Sequence, residues 1–532
     1  MIGKIKKAFG LGAGTPDPSK GVTLVINSEK LERRVALLEH NSLEEYDVER
    51  EGEANIVGGI FKGTVKNIEQ GLKAMFVDIG MDKNAFLHFW DAIPAALDGG
   101  LEEIQREGKP RKKQKKITSK DIPSIYPIGS EILIQVSKGP IGNKGPRVTT
   151  NISLAGRYLV LMPFSEQFGI SRKIDDPKER QRLRRIMQKL QVPDGMGIIM
   201  RTVSIGQRAR HFVRDLAMLM EQWNEIETKR DEKPAPVIAF QEPGLIERTA
   251  RDFLTDDVDQ VICDDLETTE FMREVAGKIS RRAKRRIQYL PSKQSIFEKI
   301  GIQRKIDEAF LRQVWLPCGG YLVIDETEAL IAIDVNTGRN KGSKDVEKMI
   351  TETNLEAAEE VARQLRLRNI GGLVVVDFID MRHRRDQQAV YRVMKERLKR
   401  DKAKTQVMQI SAIGLMEMTR QRLNESLRDT MYEPCPYCQG KARVKTTMTM
   451  SVEIQRTLNT LIQRNQEQEE HGDLIVMVNP EVLNRFKQQD SKILVELERS
   501  HNGRLIFRTD TALHRERFAI IDAETEKTLI QV

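Results

Sequence analysis

The sequence has little cysteine, few aromatic residues and no long apolar run. Four of its 532 residues are cysteine and 5% are aromatic. So few cysteines in so long a chain exclude a disulfide framework and favour a reducing compartment. No run approaches the roughly 20 apolar residues of a membrane span, and the start "MIGKIKKAFGLGAG" has no apolar secretory core. The composition therefore predicts a cytoplasmic protein without a transmembrane segment.

Charge is abundant and unevenly spread. The chain carries 87 Lys or Arg against 78 Asp or Glu, a formal charge of +9. The stretch 106–120, "REGKPRKKQKKITSK", holds eight basic residues and one Glu. Such a stretch is typical either of a solvated loop or of a segment that contacts the phosphate backbone of a nucleic acid, and the sequence leaves both interpretations open.

The length of 532 residues predicts about three to five structural units, since domains usually span about 100–200 residues. Two short strands are expected over 22–39, with a polar boundary near 50. Alternating strands over 58–90 and 129–154 predict a five-strand Greek-key barrel of the OB type, a fold that often binds single-stranded nucleic acid. A mixed α/β unit follows, then a basic hinge over 281–291. From about 310 the order is strand, strand, helix, strand, helix, and the tail has a long helix and a compact α/β unit.

Two apolar strands end in acidic residues. "LIAIDVN" runs into Asp334 and Asn336, and "LVVVDFIDM" runs into Asp377, 43 residues beyond Asp334. One helical crossover separates them, so the strands are expected to be neighbours with converging carboxylates. Mg²⁺ takes one or two such carboxylates and keeps several waters, which suits phosphodiester hydrolysis. The alternative is structural: a turn at "DVNTG" and a helix cap at Asp377.

A single Cys-x-x-Cys pair, Cys435 and Cys438, lies in the Pro/Gly-rich loop "EPCPYCQG". Two thiolates make half of a tetrahedral zinc site. The sequence offers no second pair of ligands nearby, so the same loop of a second protomer would complete the site. A redox pair and two incidental thiols are the alternatives.

Three residues of the predicted barrel could contact a nucleic acid. Phe76 and Phe86 flank the turn "DIGMDKN", and Lys144 lies in a later loop. Aromatic rings stack on bases and lysines meet phosphates, although either ring could instead be core. In the next unit, Arg201 and Thr202 end a strand with a guanidinium and a hydroxyl that suit a phosphate group.

Taken together, these segments resemble the ribonuclease E/G family of bacterial endoribonucleases over roughly residues 20–532. The segments "SLAGRYLVLMP", "GMGIIMRT", "IAIDVNTG", "GGLVVVDFIDM", "IGLMEMTRQR" and "CPYCQG" occur in the order and spacing of the family. The chain ends at 532 without a long disordered arm, so its likeness to the ribonuclease G branch is expected to be closer.

The resemblance implies roles for individual residues. Asp334 and Asp377 would hold the catalytic Mg²⁺, and Asn336 would support the scissile phosphate. The other implied sites are an RNA-binding surface, a pocket for the 5′-monophosphate of the substrate and an inter-subunit "zinc-link". The RNA-binding surface would consist of Phe76, Phe86 and Lys144. The 5′-monophosphate pocket would consist of Gly156, Val160, Arg201 and Thr202. In the zinc-link, Cys435 and Cys438 would share one Zn²⁺ with the same pair of a second protomer.

The resemblance also implies the architecture. An OB barrel and a 5′-sensor unit would be inserted into a split ribonuclease-H-like domain, followed by a deoxyribonuclease-I-like catalytic domain. The expected ranges are 1–54 and 247–309 for the split domain, 55–150 for the barrel with its basic insert 106–120, 151–246 for the sensor, 310–432 for the catalytic domain, 433–445 for the zinc-link and 446–532 for the small α/β domain.

The expected function is hydrolysis of single-stranded, A/U-rich RNA to 5′-phosphate and 3′-hydroxyl products. Ribosomal RNA maturation and mRNA decay are the expected processes, with stimulation by a substrate 5′-monophosphate. A homodimer through the zinc-link is expected, with a tetramer as a further option. The alternatives are a non-catalytic RNA-binding or ribosome-assembly factor and a metal-dependent nuclease that acts on DNA.

Overall fold

The computed structural model describes residues 21–51, 56–93, 101–104, 117–140, 144–254, 257–279, 281–292, 294–327, 329–339, 346–422, 426–467, 472–501 and 503–532. The chain divides into two compact units, Met1–Thr430 and Met431–Val532. Most of the basic stretch 106–120 lies outside the described residues, as does the N-terminal segment 1–20. No helix within these ranges combines the length and apolarity needed to cross a bilayer.

Strands and helices alternate along most of the chain. The strands are Val22–Ser28 (β1), Glu32–Glu39 (β2), Ser42–Arg50 (β3), Ile60–Glu69 (β4), Ala74–Asp78 (β5), Ala85–His88 (β6), Leu101–Glu103 (β7), Glu131–Lys138 (β8), Arg147–Thr149 (β9), Leu154–Ala155 (β10), Leu159–Met162 (β11), Phe168–Ser171 (β12), Gly197–Met200 (β13), Val237–Phe240 (β14), Gln260–Cys263 (β15), Ile287–Tyr289 (β16), Gln313–Trp315 (β17), Tyr321–Glu326 (β18), Ile331–Asn336 (β19), Gly372–Asp377 (β20), Thr405–Val407 (β21), Leu415–Arg420 (β22), Leu474–Val478 (β23), Leu505–Thr509 (β24), Ala519–Asp522 (β25) and Thr528–Gln531 (β26).

The α-helices are Ile122–Ile125 (α1), Pro177–Lys189 (α2), Ala209–Glu232 (α3), Leu245–Phe253 (α4), Leu266–Ile279 (α5), Arg281–Arg285 (α6), Ile296–Lys299 (α7), Ile302–Ala309 (α8), Val346–Leu367 (α9), Arg384–Leu398 (α10), Leu427–Met431 (α11), Thr447–Glu467 (α12), Pro480–Gln488 (α13) and Ser491–Ser500 (α14). Short 3-10 helices cover Phe89–Ala92 and Thr202–Ser204.

The first sheet is assembled from two distant parts of the chain. Its strand order is β16-β15-β1-β2-β3, and β1 pairs in parallel with β15, with Thr23 opposite Gln260. Apolar residues of β1, β2, β15, α4 and α5 form one core beneath it. Everything between β3 and α4 is therefore inserted into this sheet.

The inserted part begins with a closed barrel. Strands β4, β5, β6, β9 and β8 pair in that order and β8 returns to β4. The β6–β9 pairing is parallel and the other pairings are antiparallel. Phe61, Val65, Met75, Leu87 and Ile134 are among its interior residues. The predicted five-strand, OB-like barrel is confirmed.

A second inserted sheet has the order β10-β11-β13-β12-β7. Helices α2 and α3 supply much of its apolar core, which surrounds the fully buried indole of Trp223. Two strands lie outside the ranges predicted for their units. Strand β7 comes from the barrel range but pairs with β12, and β14 comes from the later range but pairs with the barrel strand β4.

The next sheet has the order β17-β18-β19-β20-β22-β21. Helices α9 and α10 pack on one face, where Ile333, Val335, Val374 and Val376 join a single core with the helices. Residues of the opposite face, such as Asp334, are exposed. Among the described residues, the helices therefore cover one side of the sheet, and the other side, called the open face below, has exposed residues.

A third strand before the boundary near 50 was not predicted, and the hinge expected over 281–291 is corrected by the structure. Residues Ser42–Arg50 form β3, which lies at the edge of the first sheet and pairs with β2. The expected basic hinge is instead α6 followed by β16, and Ile287 of β16 is buried in the sheet core. Strands β21 and β22 after α10 were also not predicted. In β3 five of nine side chains are charged, and β21 is only three residues long, so neither shows clear apolar alternation.

The second unit is a small α/β fold. Its sheet has the order β24-β23-β25-β26, with β23 and β24 parallel. Residues of α12, α13 and α14 form its core with β23 and β25. The predicted long helix and compact α/β unit are confirmed.

Candidate active site

The two acidic strand ends lie side by side. Strands β19 and β20 are parallel neighbours, and Asp334 is directly opposite Asp377. Neighbouring strands are about 4.8 Å apart, and alternation sends both side chains to the open face while Ile333 and Val376 enter the core. Both aspartates are exposed. The expected convergence of the two carboxylates on one sheet face is confirmed.

Asn336 shares this face because it follows Asp334 by two residues. Its Nδ2 donates to Oδ2 of Asp334 at 2.7 Å. An asparagine amide carries two N–H donors, so one donor orients the carboxylate and the second remains for another acceptor. Asp334, Asn336 and Asp377 therefore form one polar group at the ends of two strands.

The backbone after Asp377 is fixed by a buried asparagine. Asn354 of α9 is fully buried, donates through Nδ2 to the carbonyl of Ile379 at 2.8 Å and accepts from the Ile379 N–H at 3.1 Å. Sequence reasoning did not single out Asn354, because its partner lies on a loop 25 residues away. The contact holds the segment that follows the second aspartate.

The donor set fits Mg²⁺. This ion takes one or two protein carboxylates, prefers oxygen and retains several waters, and the exposed pair Asp334 and Asp377 leaves room for those waters. The described residues contain no group of three or more His, Cys, Asp or Glu side chains arranged for a metal. A dedicated all-protein cage of the Ca²⁺ or catalytic zinc kind is therefore not found among them.

The two predicted barrel aromatics also lie together. Phe76 and Phe86 face each other across β5 and β6, with ring centroids 5.8 Å apart in an edge-to-face arrangement. Both are half-buried and neither belongs to the barrel core. Lys144 is exposed and lies three residues before Arg147, which is opposite Phe86 on β9. The interpretation of the two rings as core is wrong.

Arg201 contacts another predicted sensor position, Gly156, and an unpredicted acid, Asp252. Its Nη1 donates to the carbonyl of Gly156 at 2.6 Å, and its Nη2 lies 2.9 Å from Oδ1 of Asp252. Burial acts to raise the pKa of the Asp252 carboxyl, but the charges of Arg201 and Arg251 hold it below its ordinary value. Thr202 is exposed and begins the 3-10 helix next to Arg201.

A buried carboxylate holds the backbone that follows Gly156. Asp215 of α3 accepts from the N–H groups of Arg157, Tyr158 and Leu159 at 3.0, 2.8 and 2.9 Å. A Cβ added to Gly156 would lie only 2.7 Å from Asp215 Oδ2, so glycine is required by this close approach. Val160 continues the segment on β11, opposite Ala155 and Ile199.

The supporting residues Asp215, Asp252 and Asn354 escaped the sequence analysis. Each lies on a helix in a charged, amphipathic stretch, where an acid or an amide is ordinarily a solvated residue. Their partners Arg157, Tyr158, Leu159, Arg201 and Ile379 are 25 to 58 residues away, so no local pattern reveals the contacts. Only the folded backbone brings them to the candidate site.

Cys435 and Cys438 lie in a turn of the second unit. Hydrogen bonds from the backbone N–H groups of Cys438 and Tyr437 lower the pKa of the Cys435 thiol, which is exposed. Gln439 and Gly440 have φ of +51° and +78°, which closes the turn. Cys438 is half-buried, three residues further along the same turn. Two thiols in one turn, one of them with N–H donors aimed at its sulfur, suit half of a tetrahedral zinc site.

Comparison with known proteins gives one family. Residues 153–423 match the model of the Ribonuclease E/G family. Ribonuclease G of Escherichia coli K12 is 34% identical over 498 residues, covering 94% of this chain and 99% of that protein. Ribonuclease E of Haemophilus influenzae is 36% identical over 507 residues, covering 93% of this chain and 51% of that protein. Ribonuclease E of E. coli K12 is 37% identical over 466 residues, covering 87% and 42%.

Proposed function

Because this chain belongs to the ribonuclease E/G family and is an endoribonuclease, we propose that it cuts single-stranded, A/U-rich RNA at the open sheet face that carries Asp334 and Asp377. The products would be a 5′-phosphate and a 3′-hydroxyl. The observation that carries the proposal is the pairing of these two aspartates on adjacent parallel strands. The expected cellular processes are maturation of ribosomal RNA and decay of mRNA.

Asp334 and Asp377 would hold one Mg²⁺, which when bound polarises the phosphodiester and supplies an activated water. Asn336 would use its second N–H to hold a non-bridging phosphate oxygen, since its first N–H is occupied by Asp334. The buried clamp of Asn354 on Ile379 keeps the segment after Asp377 in place. The phosphate held between these groups would be aligned for in-line attack by the water.

Two further surfaces would bind the RNA that is cut at this face. Phe76 and Phe86 would stack on bases, with Lys144 on the phosphate backbone. Gly156, Val160, Arg201 and Thr202 would bind the 5′-monophosphate, whose charge suits the Arg201 guanidinium. Because Arg201 is already bonded to Asp252, the acid would preset the guanidinium rather than leave it mobile, and the phosphate would use its remaining donors.

Cys435 and Cys438 would provide two thiolates to a structural Zn²⁺. A tetrahedral structural site needs four ligands, so the same pair of a second protomer would complete it. The lowered pKa of Cys435 favours the thiolate that zinc requires. A homodimer follows, and association of two dimers would give a tetramer.

The test is cleavage of a short single-stranded RNA. Wild-type protein should cut 5′-monophosphorylated RNA in Mg²⁺ but not in EDTA, and should cut it faster than the same RNA with a 5′-hydroxyl. Asp334→Asn should lose at least about 100-fold in rate, the scale at which a single catalytic group acts, while its RNA affinity stays within a few fold.

The matched control is Asp325→Asn, on the neighbouring strand β18, where Asp325 pairs with Arg312 on the surface. This variant should cut as fast as wild type. Full activity of Asp334→Asn would refute the assignment. Tight RNA binding by the wild type without cleavage in any divalent metal would favour the RNA-binding factor, and preferential cutting of single-stranded DNA of the same sequence would favour the DNA nuclease.

A further inference from the structure

An aromatic pair, an exposed Trp315 and a half-buried Tyr321, shares the open sheet face with the candidate active site. Trp315 of β17 is opposite Tyr321 of β18, and Tyr321 is opposite Asn336 of β19. These three residues therefore form one row across three adjacent strands, next to the row that contains Asp334 and Asp377. With strands about 4.8 Å apart, the Trp315 backbone lies roughly 10 Å from that of Asn336.

Contacts between the two rings and with Arg339 hold the pair in place. The rings of Trp315 and Tyr321 have centroids 5.3 Å apart and planes inclined by 59°. The guanidinium of Arg339 lies over the Trp315 ring, 5.5 Å from its centroid. Despite these contacts Trp315 is 52% exposed, so about half of the indole remains available to a ligand.

The loop that carries Arg339 is also fixed. The N–H of Arg339 donates to the carbonyl of Gly319 at 2.9 Å. Gly338 has φ of +54°, and a Cβ there would lie 2.5 Å from the same carbonyl. The segment after β19 therefore packs closely against the turn before β18, and it sets the guanidinium beside the indole.

From this arrangement we infer that Trp315, Tyr321 and Arg339 form a base-stacking platform for a nucleotide next to the scissile phosphate. The inference rests on the proposed function of Asp334 and Asp377. Every nucleobase offers a π face to an aromatic ring, and Arg adds a positive charge for the backbone phosphate of that nucleotide. The ligand is RNA in single-stranded form, since a paired base cannot reach the ring.

Single exposed apolar residues are common on protein surfaces, so exposure alone does not carry the inference. The arrangement differs from that ordinary case in three respects. The exposed indole is flanked by a second aromatic ring, it is accompanied by a fixed guanidinium, and it lies on the same face as the catalytic row. Together these features give a charged π surface within reach of the substrate strand.

The first experiment measures binding without catalysis. The chain has three tryptophans, and Trp223 is fully buried, so Trp90→Phe leaves Trp315 as the exposed fluorophore. A short 5′-hydroxyl RNA, which lacks the phosphate for the sensor, is titrated in EDTA. We expect saturable quenching of Trp315 emission. A parallel series of RNAs lacks one base at a time, and omission of one particular base should abolish the quenching.

The second experiment measures cleavage by Trp315→Leu in Mg²⁺. We expect KM for the intact 5′-hydroxyl RNA to rise roughly 5- to 150-fold, the range that corresponds to loss of one stacked base. Omission of the base that raises KM for wild type should not raise KM for Trp315→Leu any further. Trp315→Phe, which keeps a ring, should restore most of the affinity, and Leu311→Ala, another exposed apolar position near β17, should leave KM unchanged.

Two further variants keep the test decisive. Tyr321→Leu retains Trp315 and should show the same base-specific loss, so a folding defect in one variant leaves the other to decide. Arg339→Gln should lower the slope of log affinity against log salt by about 0.7, the value for one phosphate contact on a single strand. If both Trp315→Leu and Tyr321→Leu had the wild-type KM for all RNAs, the platform would be refuted, whereas the proposed endoribonuclease activity would stand. Absence of cleavage in the wild type would overturn the proposed function, and the fluorescence titration would still decide the platform.

Discussion

Replacement of Asp215 by asparagine should destabilise the unit that carries the proposed 5′-sensor. The Asp215 carboxylate is buried and accepts three backbone N–H groups, two at Oδ2 and one at Oδ1. An asparagine that keeps its oxygen at the Oδ2 position retains the contacts with Tyr158 and Leu159. Its NH₂ group then faces the N–H of Arg157, donor against donor.

The magnitude follows from these three contacts. A hydrogen bond to a charged group contributes about 1.5–3 kcal/mol, and one such bond is lost outright. The other two become neutral and weaken. We therefore expect Asp215→Asn to lower the free energy of unfolding of this unit by about 2–4 kcal/mol. Asp215→Ala, which removes every acceptor, should cost at least as much.

The assay is urea unfolding followed by Trp223 fluorescence. Trp223 belongs to the same apolar core as Leu159, so it reports on this unit, and Trp90→Phe with Trp315→Phe removes the other emission. The control is Glu225→Gln on the exposed side of the same helix, which should unfold with wild type. A change of less than about 0.5 kcal/mol in Asp215→Asn, the usual range for surface substitutions, would refute the reasoning.

Two further predictions concern the other proposed sites. Phe86→Ala should weaken binding of single-stranded RNA roughly 5- to 150-fold through loss of base stacking, whereas Phe86→Tyr should bind as wild type in a fluorescence-anisotropy titration. Unchanged affinity of the alanine variant would exclude this ring from the RNA path. Cys435→Ser combined with Cys438→Ser should lose zinc in elemental analysis and shift the oligomer toward monomer in analytical ultracentrifugation, and a zinc-free wild type with the same oligomeric state would argue against the zinc-link.

The sequence predicted that Asp334 and Asp377 lie on adjacent strands because that prediction needs only local information. An apolar strand that ends in Asp334, one helical crossover and a second strand that ends in Asp377 give parallel neighbours in most folds, and alternation then decides the face. The barrel was predictable for a similar reason. Its strands alternate in hydropathy, and turn residues separate them.

Strand β3 was not predictable, since five of its nine side chains are charged and some of its contacts beyond the adjacent β2 are with distant arginines. The guanidinium of Arg363 donates to the carbonyl of Leu43, and Arg366 pairs with Glu44 at 2.7 Å. Both arginines belong to α9, more than 300 residues further along the chain. A strand that packs through ion pairs lacks the apolar alternation by which strands are predicted, so its sequence looks like a linker.

The split of the first sheet has a consequence for biosynthesis. Strand β1 needs β15 as its parallel neighbour, and Thr23 and Gln260 are 237 residues apart. At the usual rate of about 5–20 residues per second, β15 leaves the ribosome about 10–50 s after β1. During that interval the apolar edge of β1 is an unpaired template, while the inserted barrel can already close on itself. The first sheet therefore stays incomplete after the barrel is able to fold. A ribosome that stalls before residue 260 would release a product with this edge of β1 exposed.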